Sequence, residues 1–167
     1  MPEIPPQELA ERFESELESL GCNSYRALTL RELEEKLCSI LVQAQAQSVV
    51  LSRNPILNQL QIAKMLEDRG QRVVRWPEST AEEPEGSLFS DECFGAGAGI
   101  TGVDFALAET GSLVLTSLTE GSQLTSLAPP VHIALYRRSQ IRASLDEVLQ
   151  IFLRHPEHRA RLLQLQF

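Results

Sequence analysis

The chain has 167 residues, of which 43% are hydrophobic and 23% charged, so its composition indicates an ordinary globular protein rather than a disordered one. Its net charge of −8 argues against a nucleic-acid or membrane-surface partner, since both require clustered basic residues. No apolar run is long enough to span a membrane, and the first residues lack a signal-peptide pattern. Three widely spaced cysteines suit a reducing cytoplasm and cannot build an iron–sulfur site by themselves. We also expect no other cofactor and no metal in this chain.

The first half of the chain predicts helices that alternate with strands. In chain order, the predicted elements are a helix over 5–20, a short strand over 25–28, a helix from 29, a strand over 48–51, a helix over 54–70 and a strand over 72–75. Thr29 and Glu32 form a capping box, and Asn54 followed by Pro55 is a strong helix start. The alternation predicts βαβ units around a parallel sheet.

The second half is richer in turns and polar loops. Its predicted elements are an acidic loop over 78–86, a small-residue stretch over 95–99, strands over 103–108 and 113–116 around a tight turn, a polar loop over 117–130, a strand over 131–136, a helix from 144 and a last helix from 156 toward 165. Ser144 and Glu147 form the second capping box. The two strands around the turn predict a β-hairpin.

Residues 97–102 have the G-x-G-x-x-G spacing of a dinucleotide-binding loop, and Glu120 lies where a ribose-binding acid would be sought. Such a site needs a strand before the loop and a helix after it. Here polar residues precede the motif and the predicted hairpin follows it. The favoured interpretation is a backbone that packs too closely for side chains.

The hairpin also gathers polar side chains. Asp104, Glu109, Thr110 and Ser112 lie on it or beside its turn, and a carboxylate there could act as a base or nucleophile in a cleft. The structural alternative is that Asp104 and Glu109 only accept hydrogen bonds from loop amides. From the residues alone, the structural interpretation is favoured.

The polar loop over 117–130 carries hydroxyl groups, including Ser126, that could hold an anionic ligand; a merely mobile loop is the alternative. His132 follows in a strand, where a lone histidine is more often structural than catalytic. His155 and His158 have the spacing of a metal pair, but no third ligand is evident, so we interpret them as surface residues.

Two segments together resemble the LUD-domain (lactate-utilization) family, formerly a domain of unknown function. They are 99–115, which reads GITGVDFALAETGSLVL, and 126–133, which reads SLAPPVHI. The resemblance implies a single α/β domain over 1–167 with an N-terminal helix over 1–21. Its fold would be three-layer α/β/α with a mostly parallel sheet, similar to ribose-phosphate isomerases and CoA transferases. The family pattern continues beyond a segment like 162–167, so a C-terminal family segment is expected to be absent.

The resemblance also implies a role in oxidising L-lactate to pyruvate, beside partner proteins that carry the iron–sulfur clusters. The first hypothesis is therefore a cytoplasmic accessory subunit that is not catalytic alone. The alternative is a transferase or isomerase-like enzyme, or a sensor of a small anionic ligand, that uses the hairpin and the Ser/Thr loop. Glu109 would then be catalytic, with ligand-binding residues Thr101, Gly102, Asp104, Thr110, Gly111, Ser112, Ser126 and His132.

Overall fold

The structure is a computed structural model that describes residues 5–76 and 84–154, except for the side chains of 84–87. The helices are α1 (Pro6–Ser19), α2 (Leu30–Gln43), α3 (Pro55–Gln59), α4 (Ile62–Glu67), α5 (Pro84–Gly95), α6 (Ser117–Glu120), α7 (Leu124–Leu127) and α8 (Leu145–Arg154). The strands are β1 (Ser48–Leu51), β2 (Arg72–Arg75), β3 (Ala98–Thr101), β4 (Phe105–Leu107), β5 (Ser112–Val114), β6 (Val131–Ala134) and β7 (Ile141–Arg142).

The chain divides into two compact units. The parallel-sheet unit comprises Tyr25–Gly102 and Thr119–Leu135, and the hairpin unit comprises Met1–Ser24, Val103–Leu118 and Tyr136–Phe167. Each unit has its own sheet and its own buried apolar residues. The predicted α/β class with a mostly parallel sheet is confirmed, and a second, three-stranded sheet lies in the hairpin unit.

The parallel-sheet unit is built on four strands in the order β2-β1-β3-β6, and every neighbouring pair is parallel. Helices α2, α3 and α4 cover one face, where their apolar side chains pack against Val49, Leu51 and Ile100. Phe89 and Cys93 of α5 cover the other face and pack with Val50, and Leu124 of α7 joins them. This unit therefore has the helix–sheet–helix layering that the family resemblance implied.

Small residues make the central strand β3 possible. A Cβ atom on Gly97 would lie 2.6 Å from Cα of Ala46, and one on Gly99 would overlap the carbonyl oxygen of Thr125. Close backbone packing, the favoured interpretation of the glycine-rich motif, is therefore what the structure contains. The strand lies inside the motif and a hairpin follows it, which does not match the strand–loop–helix order of a dinucleotide site.

The hairpin unit contains the three-stranded sheet β5-β4-β7. The predicted hairpin is confirmed, because β4 and β5 pair antiparallel and Gly111 adopts a positive φ of 65° in the turn between them. Phe13 of α1 packs with Ala106 on one face of this sheet. Phe152 of α8 packs with Leu107 on the other face.

Several local predictions were wrong. Residues 25–28 form no strand, because Leu28 is 90% exposed and its amide donates to the Glu32 carboxylate at 2.7 Å, closing the start of α2. The helix predicted over 54–70 is divided at Gln61, which has a φ of 53°. The polar loop over 117–130 contains the short helices α6 and α7, separated at Gly121 with a φ of 81°.

The predicted acidic loop over 78–86 is only partly described, and its residues 84–86 belong to α5. The helix predicted from 156, together with His155 and His158, lies outside the described residues. Among the residues that the structure describes, no helix is both long enough and apolar enough to span a membrane.

Candidate functional site

The carboxyl end of the parallel sheet is where a ligand site is expected in this kind of fold. The chain leaves β1 to form β2 on one side and returns to form β3 on the other, so the order of the strands reverses between β1 and β3. Ligands of open α/β sheets bind beside the carboxyl ends of the strands at such a reversal. The residues that follow β1 and end β3 therefore define the candidate site.

Polar side chains lie next to one another at this end of the sheet. Leu51 pairs with Ile100, and the Ser52 amide donates to the Ile100 carbonyl at 3.1 Å, so Ser52 and Thr101 are neighbours across the two strands. Because side chains alternate between faces, both lie on the face that carries Val50. The next strand, β6, adds His132 on the same face, whereas Ile133 packs on the opposite face.

Glu120 is the acidic member of this group and is only 1% exposed. The Ser52 hydroxyl donates to one carboxylate oxygen at 2.6 Å, and the Asn54 side-chain amide donates to the other. The Thr119 hydroxyl contributes a longer contact of 3.4 Å, and the Arg53 amide donates to the Glu120 carbonyl at 3.1 Å. Such bonds are required, since a buried carboxylate without partners is costly. They attach α6 to the end of β1.

Asn54 connects this carboxylate to the start of α3. Its side-chain oxygen accepts a hydrogen bond from the Ile56 amide at 3.1 Å, which confirms the predicted N-cap, while its nitrogen donates to Glu120. Gly102 lies directly against the Asn54 side chain, and a Cβ atom at Gly102 would overlap three of its atoms. The glycine at the end of the sequence motif therefore leaves space for a polar side chain of the protein itself.

Thr101 and His132 form the second hydrogen-bonded pair at this end of the sheet. The Thr101 hydroxyl and Nε2 of His132 are 2.8 Å apart, and Thr101 is 1% exposed. His132 remains exposed, yet desolvation by the surrounding atoms lowers the pKa of its imidazole below the ordinary value of 6.5. A neutral imidazole is therefore favoured at neutral pH, and it can accept or donate a proton in a hydrogen bond.

We refer to Ser52, Asn54, Thr101, Glu120 and His132 as the carboxyl-end cluster. Among the described residues, six polar or charged side chains are buried, and four of them belong to this cluster. Buried polar groups are costly, so their concentration at one end of one sheet requires a structural or a functional reason. The cluster combines a carboxylate, two hydroxyls, an amide and an imidazole, which together suit recognition of a small polar molecule.

The predicted hairpin residues lie in the other unit. Glu109 is exposed, and its carboxylate accepts a hydrogen bond from the Leu145 amide at 3.0 Å, at the start of α8. Asp104 accepts one from the Thr116 amide at 2.9 Å. The Thr110 hydroxyl donates to the Ser112 hydroxyl at 2.9 Å beside the turn. These are the contacts of the structural interpretation, in which carboxylates accept hydrogen bonds from loop amides.

The hydroxyls of Ser122 and Ser126 in the predicted Ser/Thr loop also bond within the protein. The Ser126 hydroxyl donates to the Gln123 carbonyl at 2.8 Å, and the Ser122 hydroxyl accepts from the Leu124 amide at 3.1 Å. Thr125 is completely buried above Gly99. Of the predicted ligand-binding residues, Thr101, Gly102, Ser126 and His132 thus belong to the parallel-sheet unit, and the remaining four belong to the hairpin unit.

Sequence reasoning missed Ser52 and Asn54 as site residues, and it considered Glu120 only for a dinucleotide site. One signal was available, because a polar residue directly after a buried parallel strand marks its carboxyl end. Glu120 had no comparable signal, since it is 68 positions from Ser52. Within the described part of the chain, no group of three or more histidine, cysteine or acidic side chains could hold a metal ion.

Comparison with known proteins places the chain in a family. Lactate utilization protein B of Shouchella clausii is 25% identical, over 79% of this chain and 37% of that protein. Lactate utilization protein C of Halalkalibacterium halodurans is 27% identical, over 70% of this chain and 47% of that protein. The chain therefore spans less than half the length of either relative.

The fold is shared with a solved structure. A DUF162 family protein from Deinococcus radiodurans superimposes with a TM-score of 0.68 at 24% sequence identity, over 91% of this chain and 82% of that chain. The sequence model of the LUD domain matches residues 10–164. This match covers nearly the whole chain, and the protein therefore belongs to the LUD domain family.

Proposed function

We propose that this protein is an accessory component of a lactate-utilization system in which L-lactate is oxidised to pyruvate beside iron–sulfur partner proteins. The observation that carries the proposal is the family match over residues 10–164, together with relatives named lactate utilization proteins B and C. Both relatives align with more than two thirds of this chain.

The redox chemistry explains why partners are part of the proposal. Converting L-lactate to pyruvate removes two electrons and two protons, so an electron acceptor is required. This chain has three cysteines, and they are exposed at Cys22, partly buried at Cys38 and fully buried at Cys93. Burial also raises the pKa of the Cys93 thiol to about 11, which disfavours the thiolate that metal binding requires. We therefore assign the electron-accepting clusters to other proteins.

Growth on lactate tests the proposal directly. Deleting the gene for this chain in its source organism should abolish or strongly slow growth on L-lactate as the sole carbon source, while growth on pyruvate continues. Reintroducing the gene should restore growth on L-lactate. The purified chain, mixed with L-lactate and an artificial electron acceptor, should produce no pyruvate. Unchanged growth of the deletion strain, or lactate oxidation by the chain alone, would contradict the accessory role.

A second candidate function is a small-molecule enzyme of the transferase or isomerase type, and the carboxyl-end cluster is the observation that favours it. A buried carboxylate and a neutral imidazole at one end of a parallel sheet are groups that acid–base chemistry uses. In this version Glu120 and His132, rather than Glu109, would carry the chemistry. Turnover of a sugar phosphate or an acyl-CoA by the purified chain, lost in Glu120→Gln, would establish it.

A further inference from the structure

The carboxyl-end cluster is buried except at one residue. Ser52, Asn54, Thr101 and Glu120 are each at most 7% exposed, whereas His132 is exposed. His132 is therefore the member of the cluster that a ligand can contact from solvent. The hydroxyl of Thr101 lies 2.8 Å from Nε2 of His132 and restrains the orientation of the ring.

We propose that His132 is the ligand-contacting residue of a small-molecule site at the carboxyl end of the parallel sheet, with Thr101 as its positioning residue. The ligand is a 2-hydroxy or 2-oxo acid, whose hydroxyl or carbonyl oxygen bonds to the imidazole. The choice of this ligand class rests on the proposed function, whereas the location of the site rests only on the geometry. Neither the family match nor the relatives' names assigns a site to these residues.

The hydrogen-bonding capacity of His132 supports a contact with ligand. An imidazole has two nitrogens, and Nε2 is engaged by Thr101. Among the described residues, no hydrogen bond to Nδ1 is present, although the residue is exposed. A neutral ring accepts a hydrogen bond at one nitrogen and donates one at the other. Depending on the tautomer, Nδ1 can therefore accept a hydrogen bond from a hydroxyl or donate one to a carbonyl oxygen.

The rest of the cluster provides rigidity and charge for the site. The Glu120 carboxylate accepts hydrogen bonds from the Ser52 and Asn54 side chains, and the Glu120 carbonyl accepts one from the Arg53 amide. The backbone after β1 is therefore fixed on both sides of Arg53. Arg53 is exposed at this end of the sheet. The positive charge of its guanidinium favours an anionic ligand at this end of the sheet and offsets the negative charge of Glu120.

The experiment is an NMR titration of the full chain, labelled at the histidine rings, with L-lactate, pyruvate and the uncharged amide of lactate. We expect at least one acid to shift the His132 resonances in a saturable way at concentrations up to about 20 mM, which covers weak millimolar sites. His132→Gln should bind that acid at least about tenfold more weakly in a thermal-shift assay. Arg53→Met should weaken binding of the acids but not of the amide, because only the acids carry a charge.

Thr101→Val keeps the shape of the side chain and removes only its hydroxyl, so it tests the positioning role. It should change the tautomer of His132, which is read from the chemical shifts of the ring nitrogens. It should also weaken binding of the acid about threefold to tenfold, the loss expected for one hydrogen bond. Ser19→Ala serves as the control, since it removes an exposed hydroxyl that donates to the Glu16 carbonyl within α1, and it should bind the acid like the parent.

Two outcomes would overturn this inference. One is no response of the His132 ring to either acid, and the other is undiminished binding by His132→Gln. Both leave the accessory role intact, because the growth of the deletion strain tests that role separately. Conversely, an acid bound at His132 with normal growth of the deletion strain would retain the site and reject the accessory role.

Discussion

Glu120 and Glu109 are two carboxylates that accept hydrogen bonds in different surroundings. Glu120, in the parallel-sheet unit, is buried and binds the side chains of Ser52 and Asn54. Glu109, in the hairpin unit, is exposed and accepts a hydrogen bond from one backbone amide at the start of a helix. Removing a buried acceptor leaves its donors without a hydrogen-bond partner, because water does not reach them, whereas water can replace an exposed acceptor. Glu120 therefore holds several side chains of the candidate site together, whereas Glu109 only caps the start of one helix.

The largest expected effect is that of Glu120→Ala. It leaves the buried Ser52 hydroxyl and Asn54 amide without their acceptor, so we expect the free energy of unfolding to fall by about 3 kcal/mol. Glu120→Gln keeps one oxygen for Asn54 and can donate to the Ser52 hydroxyl, so its loss should be less than half as large. Urea unfolding of the three proteins measures both values. If Glu120→Ala costs no more than Glu109→Ala, the proposed contrast between the two carboxylates fails.

A pair of glycine substitutions compares the two units through their backbones. Gly102→Ala would force a Cβ atom into the Asn54 side chain, and we expect a loss of about 2 kcal/mol from overpacking. At Gly111 there is more space, since an added Cβ atom would come no closer than 3.1 Å, to the Leu17 nitrogen. The φ of 65° at Gly111 is nevertheless unfavourable for alanine. We expect about 1 kcal/mol there. Thermal unfolding of both variants tests the order, which would be reversed if the Asn54 side chain could simply move aside.

A smaller effect is expected for Glu109→Ala. Because the carboxylate accepts only the Leu145 amide among its described side-chain contacts, the loss should resemble that of a helix cap, at most about 1 kcal/mol. Glu109→Gln retains an acceptor oxygen and should be nearly neutral. Hydrogen exchange at the Leu145 amide should accelerate in the alanine variant only. A loss of several kcal/mol with unchanged exchange there would show that Glu109 has a role beyond this cap.

The same two regions show which features could be predicted from the sequence and which could not. The hairpin was predictable because its signals are local, with two apolar runs around a glycine turn. The strand β1 and the N-cap Asn54 were predictable for the same reason. Local patterns do not show that Asn54 also bonds to Glu120, 66 positions away. That contact depends on strand order, and alternation alone cannot determine which strands become neighbours.

Some elements were missed because their patterns are ambiguous. The helix α5 has apolar residues without a clear stripe, and it covers part of a segment that polar composition had marked as a loop. The small residues of β3 resemble a phosphate-binding loop, yet here they allow close contacts with Ala46 and Thr125. Composition indicates where side chains are small, but only the packing shows what occupies the space.

The smallest predicted effect concerns pH and the histidine of the cluster. The pKa of His132 in the folded protein is lowered by desolvation below 6.5, which is also about its value in the unfolded chain. The unfolded state therefore takes up a proton first as the pH falls, so the contribution of His132 to stability is present above about pH 6.5 and is lost below it. The parent should lose more unfolding free energy between about pH 7.5 and about pH 5.5 than His132→Gln does. Urea unfolding at both pH values measures the difference. A larger loss in the variant would mean that the folded protein stabilises the imidazolium ion. The cluster would then present a cation at its exposed end and could pair with a ligand carboxylate through His132 itself.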